Sequence, residues 1–177
     1  MQYKMNYSSP VGVLTITTDG THITGLWFDN QSDYERKLND KVVAQEQPIF
    51  QQVRTWLDHY FQGDNPTIDF PLKPTGTAFR EQVWEILTTI PSGETMTYGE
   101  IADKIASVKG KDKMSAQAVG GAVGSNPISI LIPCHRVVGA DGSLTGYGGG
   151  IDKKIKLLEI ETVEMAPLYR PKHSTKP

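Results

Sequence analysis

Thr97-Tyr-Gly-Glu-Ile-Ala-Asp-Lys-Ile-Ala-Ser-Val-Lys-Gly110, followed by Ser115-Ala-Gln-Ala-Val-Gly-Gly-Ala-Val123, decides the architecture of the second half of this chain. Thr97 and Glu100 stand at the spacing of a capping box: the threonine hydroxyl caps the amide three residues on, and the glutamate reaches back. A short helix to about Ala106 follows, and Gly110 breaks it. Ser115 is placed to cap a further helix through Val123. Upstream, Phe79, Val83, Trp84, Ile86, Leu87 and Ile90 form one helical stripe, ended by Pro91-Ser-Gly93. Helix, short helix, turn and small-residue helix, in that order, read as a helix-turn-helix. The last helix is almost all Ala, Gly and Val, so its backbone can approach a partner closely. The same residues suit tight packing between helices, and the pattern alone does not choose.

Toward the C-terminus, Ile128 to Pro133 is predicted as a buried strand running into Cys134. Val138 to Ser143 reads as a turn, and Gly146-Tyr-Gly-Gly-Gly150 as a flexible glycine loop. Asp152 is expected to cap a helix bearing Ile155, Leu157, Leu158 and Glu161. Pro167 to Pro177 reads as a loose tail. Toward the N-terminus the first ~30 residues read as β-structure. Asp19-Gly20 marks a hairpin between Val11–Thr18 and His22–Phe28. Residues 48–61 read as a helix through Ile49, Phe50, Val53, Trp56, Leu57, Tyr60 and Phe61, stopped by Gly63. Pro71-Leu-Lys-Pro-Thr-Gly76 suits a linker. The domains expected are therefore 1–75, 76–163 and a flexible tail, 164–177. No repeat or low-complexity segment is present.

The chain has 177 residues, 38% apolar and 21% charged, with a net charge of −2, as expected of a soluble globular protein. Residues 1–99 hold 7 basic and 12 acidic side chains; residues 100–177 hold 11 and 8. A nucleic-acid face, if the protein has one, belongs to the second half. No apolar run approaches the ~20 residues of a membrane span, and the first residues lack the apolar core of a signal peptide. With one cysteine, these features fit a reducing cytosol.

That lone thiol cannot form an internal disulfide or a cysteine cluster for zinc, which leaves a nucleophile or an inert packed thiol. A thiol attacks as its thiolate and needs a base. His135 is adjacent, but neighbours on a strand point to opposite faces, so the chain must turn or a water must relay the proton. Glu159 and Glu161 are the carboxylates on the last helix that could orient the base, and spacing does not choose between them. Asn126, held before Pro127, can brace a tight turn. His22 and His59 lack metal-ligand partners and read as surface or packing residues.

Pro133-Cys-His-Arg-Val-Val138 resembles the active-site motif of the O6-alkylguanine-DNA alkyltransferases, also called methylated-DNA–protein-cysteine methyltransferases. The likeness runs from about Phe79 to Glu161, through Thr97-Tyr98, Ala118-Val-Gly-Gly-Ala122, Asn126-Pro127 and Gly146-Tyr147. The first half fits only loosely. The resemblance implies an α/β (α+β) fold: a small N-terminal sheet-plus-helix domain, ribonuclease H-like, and a C-terminal helix-turn-helix, winged-helix-like domain carrying the cysteine. It implies Cys134 as alkyl acceptor and His135 as its base through a water. Glu161, and not Glu159, would orient His135, and Asn126 would brace the turn. Tyr98 would help rotate the nucleotide out and protonate the purine. Backbone groups of Cys134, Val137 and Gly148 would read the guanine edge, with Tyr147 shaping the pocket lid. Ser115, Gln117, Ala118, Gly120 and Arg136 are assigned to substrate or DNA.

The implied function is direct-reversal repair of O6-alkylguanine, and of O4-alkylthymine as an extension. A buried O6 atom requires base flipping. The thioether product has no second thiol to release it, so one turnover is expected. The expected partner is double-stranded DNA containing the lesion, bound by a cytoplasmic monomer without metal or cofactor. The family usually carries arginine where this chain has Gln117. Weaker DNA binding is therefore expected, with Lys109, Lys111 and Lys113 compensating through phosphate contacts. Gly148 replaces a serine of some relatives. A non-reactive lesion-binding protein and a cysteine hydrolase are the alternatives; the first replaces the cysteine present here, and the second lacks any sign of an oxyanion hole.

Overall fold

A computed structural model describes residues 1–110 and 114–171. The chain divides into two compact units, Met1–Thr75 with Pro127–Leu131, and Gly76–Asn126 with Ile132–Pro177.

In the first unit, β1 (Gln2–Ser9), β2 (Gly12–Thr18), β3 (Ile23–Trp27) and β4 (Val42–Ala44) form one sheet in the order β3-β2-β1-β4. The β2–β3 hairpin turns where Asp19-Gly20 predicts: the Asp19 carboxylate accepts the amides of Thr21 and His22, at 2.9 and 2.7 Å, and Gly20 takes a φ of +108°. β4 joins β1 in parallel after the short helix α1 (Tyr34–Leu38). Neither α1 nor β4 carries a periodic pattern long enough to read in the sequence. Helix α2 (Pro48–Phe61) has the predicted bounds, and Pro48 occupies its first turn, where a missing N–H costs nothing. It buries Ile49, Phe50, Val53, Trp56, Leu57 and Tyr60.

Residues 127–131 add to this sheet. The Leu26 amide donates to the Pro127 carbonyl at 2.9 Å, and the Ser129 amide to the Leu26 carbonyl at 3.4 Å. The predicted strand here is buried but is not a strand. Only Ile128 bridges to Leu26, and Ile130 takes a φ of +70°, which a β-branched residue rarely adopts. The Leu131 amide closes that turn on the Ser129 carbonyl at 2.8 Å.

The second unit contains α3 (Ala78–Leu87), β5 (Met96–Thr97), α4 (Tyr98–Lys109), α5 (Ala116–Gly124), a 3-10 turn (Cys134–Arg136), β6 (Val137–Val138) and α6 (Ile151–Ile160). The capping box closes in both directions: the Glu100 amide donates to Thr97 Oγ1 at 3.1 Å, and the Thr97 amide to Glu100 Oε1 at 3.2 Å. Helix α4 runs on to Lys109, where Gly110 ends it at a φ of +67°. Ser115 Oγ accepts from the Ala118 amide and starts α5. The buried Trp84 indole donates to the Ala122 carbonyl at 2.8 Å and ties α3 to α5. β5 and β6 pair in parallel, Met96 opposite Val137.

Two expectations are corrected. Asp152 does not cap α6; Gly150 precedes the helix, and Asp152 lies in its first turn, paired with Arg170. Residues 165–170 are not loose. The Leu144 amide donates to the Tyr169 carbonyl at 2.8 Å, and the Tyr169 amide to Gly142 at 3.1 Å. Met165 and Leu168 cover a core of Val138, Leu144, Leu158 and Val163. The last six residues lie outside the described ones. Gly142 has a φ of +89°, and a Cβ there would sit 2.1 Å from the Pro167 carbonyl oxygen. Gly142→Ala should therefore lower stability by more than about 1 kcal/mol in urea unfolding; an unchanged midpoint would mean that residues 165–170 do not pack here.

Candidate active site

Cys134 opens the 3-10 turn, so His135 follows it a third of a helical turn later and not on an opposite strand face. Two contacts force the turn. The Asn126 side-chain amide donates to the Ile132 carbonyl at 2.8 Å, and the Cys134 amide donates to the same carbonyl at 2.8 Å. Asn126 is thereby tied to the backbone two residues before Cys134. Cys134 keeps only 6% of its surface exposed.

His135 is wholly buried, and its Nε2 lies 2.5 Å from Glu161 Oε2. The carboxylate fixes the tautomer by accepting that N–H, leaving Nδ1 buried with no partner among the described residues. Burial pushes the imidazole toward its neutral form, against the pull of Glu161. Burial opposes the charge on Glu161 too, but the His135 and Arg136 bonds hold its carboxyl well below the ordinary range. Glu159 is exposed on α6 and plays no part.

Arg136 is placed differently from the sequence expectation. Its Nε donates to Glu161 Oε1 at 2.7 Å and its Nη1 to the Ile90 carbonyl at 2.5 Å. The guanidinium is thus committed inside the unit and braces Glu161, where a DNA contact was expected. The Cys134 carbonyl accepts from the Val137 amide, so the backbone of Cys134 is largely occupied by its own turn. Val137 is buried in its pairing with Met96, Tyr147 is buried, and Gly148 is exposed.

Tyr98 heads α4. Its hydroxyl is buried without a hydrogen bond of normal geometry among the described residues. Burial raises the phenol above its usual value, the Thr145 side chain pulls it back, and negative charge on Cys134 raises it again. It therefore keeps its proton at neutral pH, as a proton donor must.

Sequence reasoning missed Lys154. It is fully buried on α6, and its ammonium donates to the Thr145 carbonyl at 2.8 Å. Burial drags it down to about 8, while Cys134 favours its charged form. The signal was available: Lys154, Leu157, Leu158 and Glu161 occupy one helical stripe at spacings of three and four.

Helix α5 divides cleanly. Val119, Gly120, Ala122 and Val123 are buried; Gln117, Ala118, Gly121 and the cap Ser115 are exposed. Gly120, expected to face DNA, faces the interior, and Gly121 takes the open position. Lys109 lies 5.1 Å from the centre of the Phe79 ring; Lys111 and Lys113 lie outside the described residues. Among the described residues no cluster of His, Cys, Asp or Glu could hold a metal ion, and no helix is long and apolar enough to cross a membrane.

Residues 2–74 match the ribonuclease-like domain of 6-O-methylguanine DNA methyltransferase, and residues 78–163 match its DNA binding domain. A methylated-DNA–protein-cysteine methyltransferase of Haemophilus influenzae is 45% identical over 163 residues, 91% of this chain and 87% of that one. A Mycobacterium tuberculosis protein of the same name is 44% identical over 153 residues, 86% of this chain and 88% of its own. The crystal structure of Mycobacterium tuberculosis OGT in complex with DNA superposes with a TM-score of 0.78 at 41% identity, covering 90% of this chain and 92% of that one.

Removing the shared carboxylate should be costly. Glu161→Gln leaves Arg136 without its counter-charge, for an expected loss of about 3–5 kcal/mol in urea unfolding. Because the folded carboxyl is more acidic than its unfolded value of 4.5, its contribution is complete above that pH and lost as pH falls toward the folded value. The acid dependence should weaken in Glu161→Gln; identical acid profiles would refute the pairing.

Proposed function

We propose a function from one premise: the chain belongs to the 6-O-methylguanine DNA methyltransferase family. It is a methylated-DNA–protein-cysteine methyltransferase, acting by direct reversal. It takes an alkyl group from guanine O6 of double-stranded DNA onto Cys134, working as a monomer in the cytoplasm and without a cofactor. One observation carries the residue assignment: Cys134 shares a tight turn with an imidazole that a buried carboxylate holds at 2.5 Å.

His135 Nδ1 receives the thiol proton, directly or through one water, and Glu161 supports the imidazolium that results. The thiolate pair forms the S–C bond as the C–O6 bond breaks and leaves its electrons on the purine. Tyr98 supplies a proton to the ring, which makes guanine the better leaving group. Solvent then returns the His135 proton to the Tyr98 phenolate, so the net change is one thiol proton moved to guanine. The thioether stays, and each molecule acts once. The lesion base must leave the stack to reach a thiol this deeply buried, at an unstacking cost of a few kcal/mol. O4-alkylthymine is a second candidate substrate by the same displacement.

Helix α5 is the DNA-reading element, with Gln117 following the departing base. Gly121 supports this. An exposed glycine inside a helix costs about 1 kcal/mol relative to alanine, and a Cβ there would meet nothing within 4 Å in the protein's own fold. Its lack of a side chain serves a surface outside the chain.

Incubation with a duplex bearing one O6-methylguanine should add one methyl to Cys134, stoichiometrically, by intact mass and peptide mapping; binding without mass gain overturns the transfer. Gly121→Ala should raise stability by about 0.5–1 kcal/mol yet weaken duplex binding in a fluorescence titration, and unweakened binding would remove α5 from the interface. Gln117→Arg should tighten lesion binding, and no change would assign the gap left by the base to another residue.

A further inference from the structure

We propose that Lys154 is the built-in counter-charge of the Cys134 thiolate, and that alkyl transfer strands it as an unbalanced buried cation. This rests on the transfer reading above. Helix α6 presents Lys154, Leu157, Leu158 and Glu161 to the interior, so one buried stripe begins with a cation and ends with an anion. The two are seven residues apart, about 10 Å along the axis. Glu161 is fully engaged with His135 and Arg136. Among the described residues no carboxylate lies within ion-pair distance of the Lys154 ammonium, whose hydrogen-bond acceptor is the neutral Thr145 carbonyl.

A buried ammonium so placed is costly unless an anion nearby uses it. Helix α6 packs against the Cys134–Arg136 turn, where the same buried face places Glu161 on His135; there Cys134 favours the charge of Lys154, and Lys154 opposes protonation of His135. The other ionisable groups of the cluster are the Tyr98 phenol, which senses Cys134, and Arg136, which also opposes charge on His135. The two halves of the reacting pair thus each have an opposite charge from the same helix face: Glu161 for the imidazolium and Lys154 for the thiolate. Transfer converts the thiolate into a neutral thioether, its electron pair now in the S–C bond. Lys154 keeps its charge and loses the anion that favoured it. What remains is the Thr145 carbonyl, at the start of the loop that carries Tyr147.

The test uses the full chain and needs no DNA. Lys154→Met and Lys154→Arg are compared with wild type by the pH dependence of thiolate ultraviolet absorbance and of the rate of iodoacetamide alkylation. In Lys154→Met the thiol midpoint should rise by about one pH unit or more. Alkylation near neutral pH should slow about tenfold, and Lys154→Arg should recover most of the rate. A merely structural lysine would move melting temperature and leave the thiol midpoint in place. An unmoved midpoint, or equal behaviour of Met and Arg, overturns the proposal. Should Lys154→Met not fold, the wild-type chain suffices. The Lys154 ammonium, followed by NMR, should lose its proton at lower pH once iodoacetamide has made the thioether, and an unchanged midpoint overturns the pairing. Wild type that titrates as expected but gains no methyl from lesion DNA would refute the transfer reading alone.

Discussion

A single buried carboxylate holds the reactive turn in shape. One oxygen of Glu161 fixes the ring of His135, and the other holds Arg136, which also grips the Ile90 carbonyl. The last helix, the 3-10 turn and the segment after α3 are joined through that group. Such a network is strong because water is excluded from it, and for the same reason neither Glu161 nor Arg136 can be lost singly without leaving a buried or half-buried charge unpaired. The order matters: Arg136 and His135 hold the Glu161 carboxyl ionised, Glu161 accepts from His135 Nε2, and Nδ1 is left buried with no partner among the described residues.

The small-residue helix has two different faces. Its inner side, Val119, Gly120, Ala122 and Val123, lets α3 come near enough for Trp84 to reach a backbone carbonyl. Its outer side, with Gln117, Ala118 and Gly121, is exposed. Close packing, one of the two readings that the sequence left open, therefore belongs to the inner face.

Signals that act over three or four residues were legible in the sequence. The capping box at Thr97, the cap at Ser115, the Asp19-Gly20 turn and the stripe of α2 are all local, and each forms as read. The resemblance around Cys134 pointed to Cys134, His135 and Glu161, and the structure brings the three together. What escaped depends on distant partners. Ile128 to Pro133 is as β-branched and apolar as a strand, yet Ile130 is forced into a left-handed turn that its own propensity opposes. Arg136 looked available for substrate or DNA because its partners in the fold are 25 and 46 residues away. The segment from Pro167 on looked like a free tail because the edge that holds Tyr169 is formed around Gly142, far back in the sequence. Lys154 was passed over since a lysine in a core stripe breaks the pattern of apolar inside and charged outside, and such breaks concentrate at reactive sites.

The loan of residues 127–131 to the first unit also limits how the gene can be cut. The polypeptide crosses between the two units three times, near positions 75, 126 and 131, so neither half is one uninterrupted run. A fragment starting at Gly76 would keep every side chain of the reactive turn yet lose Leu26, the backbone partner of Pro127 and Ser129. Ile128, Ile130 and Leu131 would then be apolar residues without a host, just ahead of the proline that leads into the thiol. Exchange of N-terminal halves among relatives is accordingly constrained at the Leu26 edge, where the backbone of residues 127–129 must still pair.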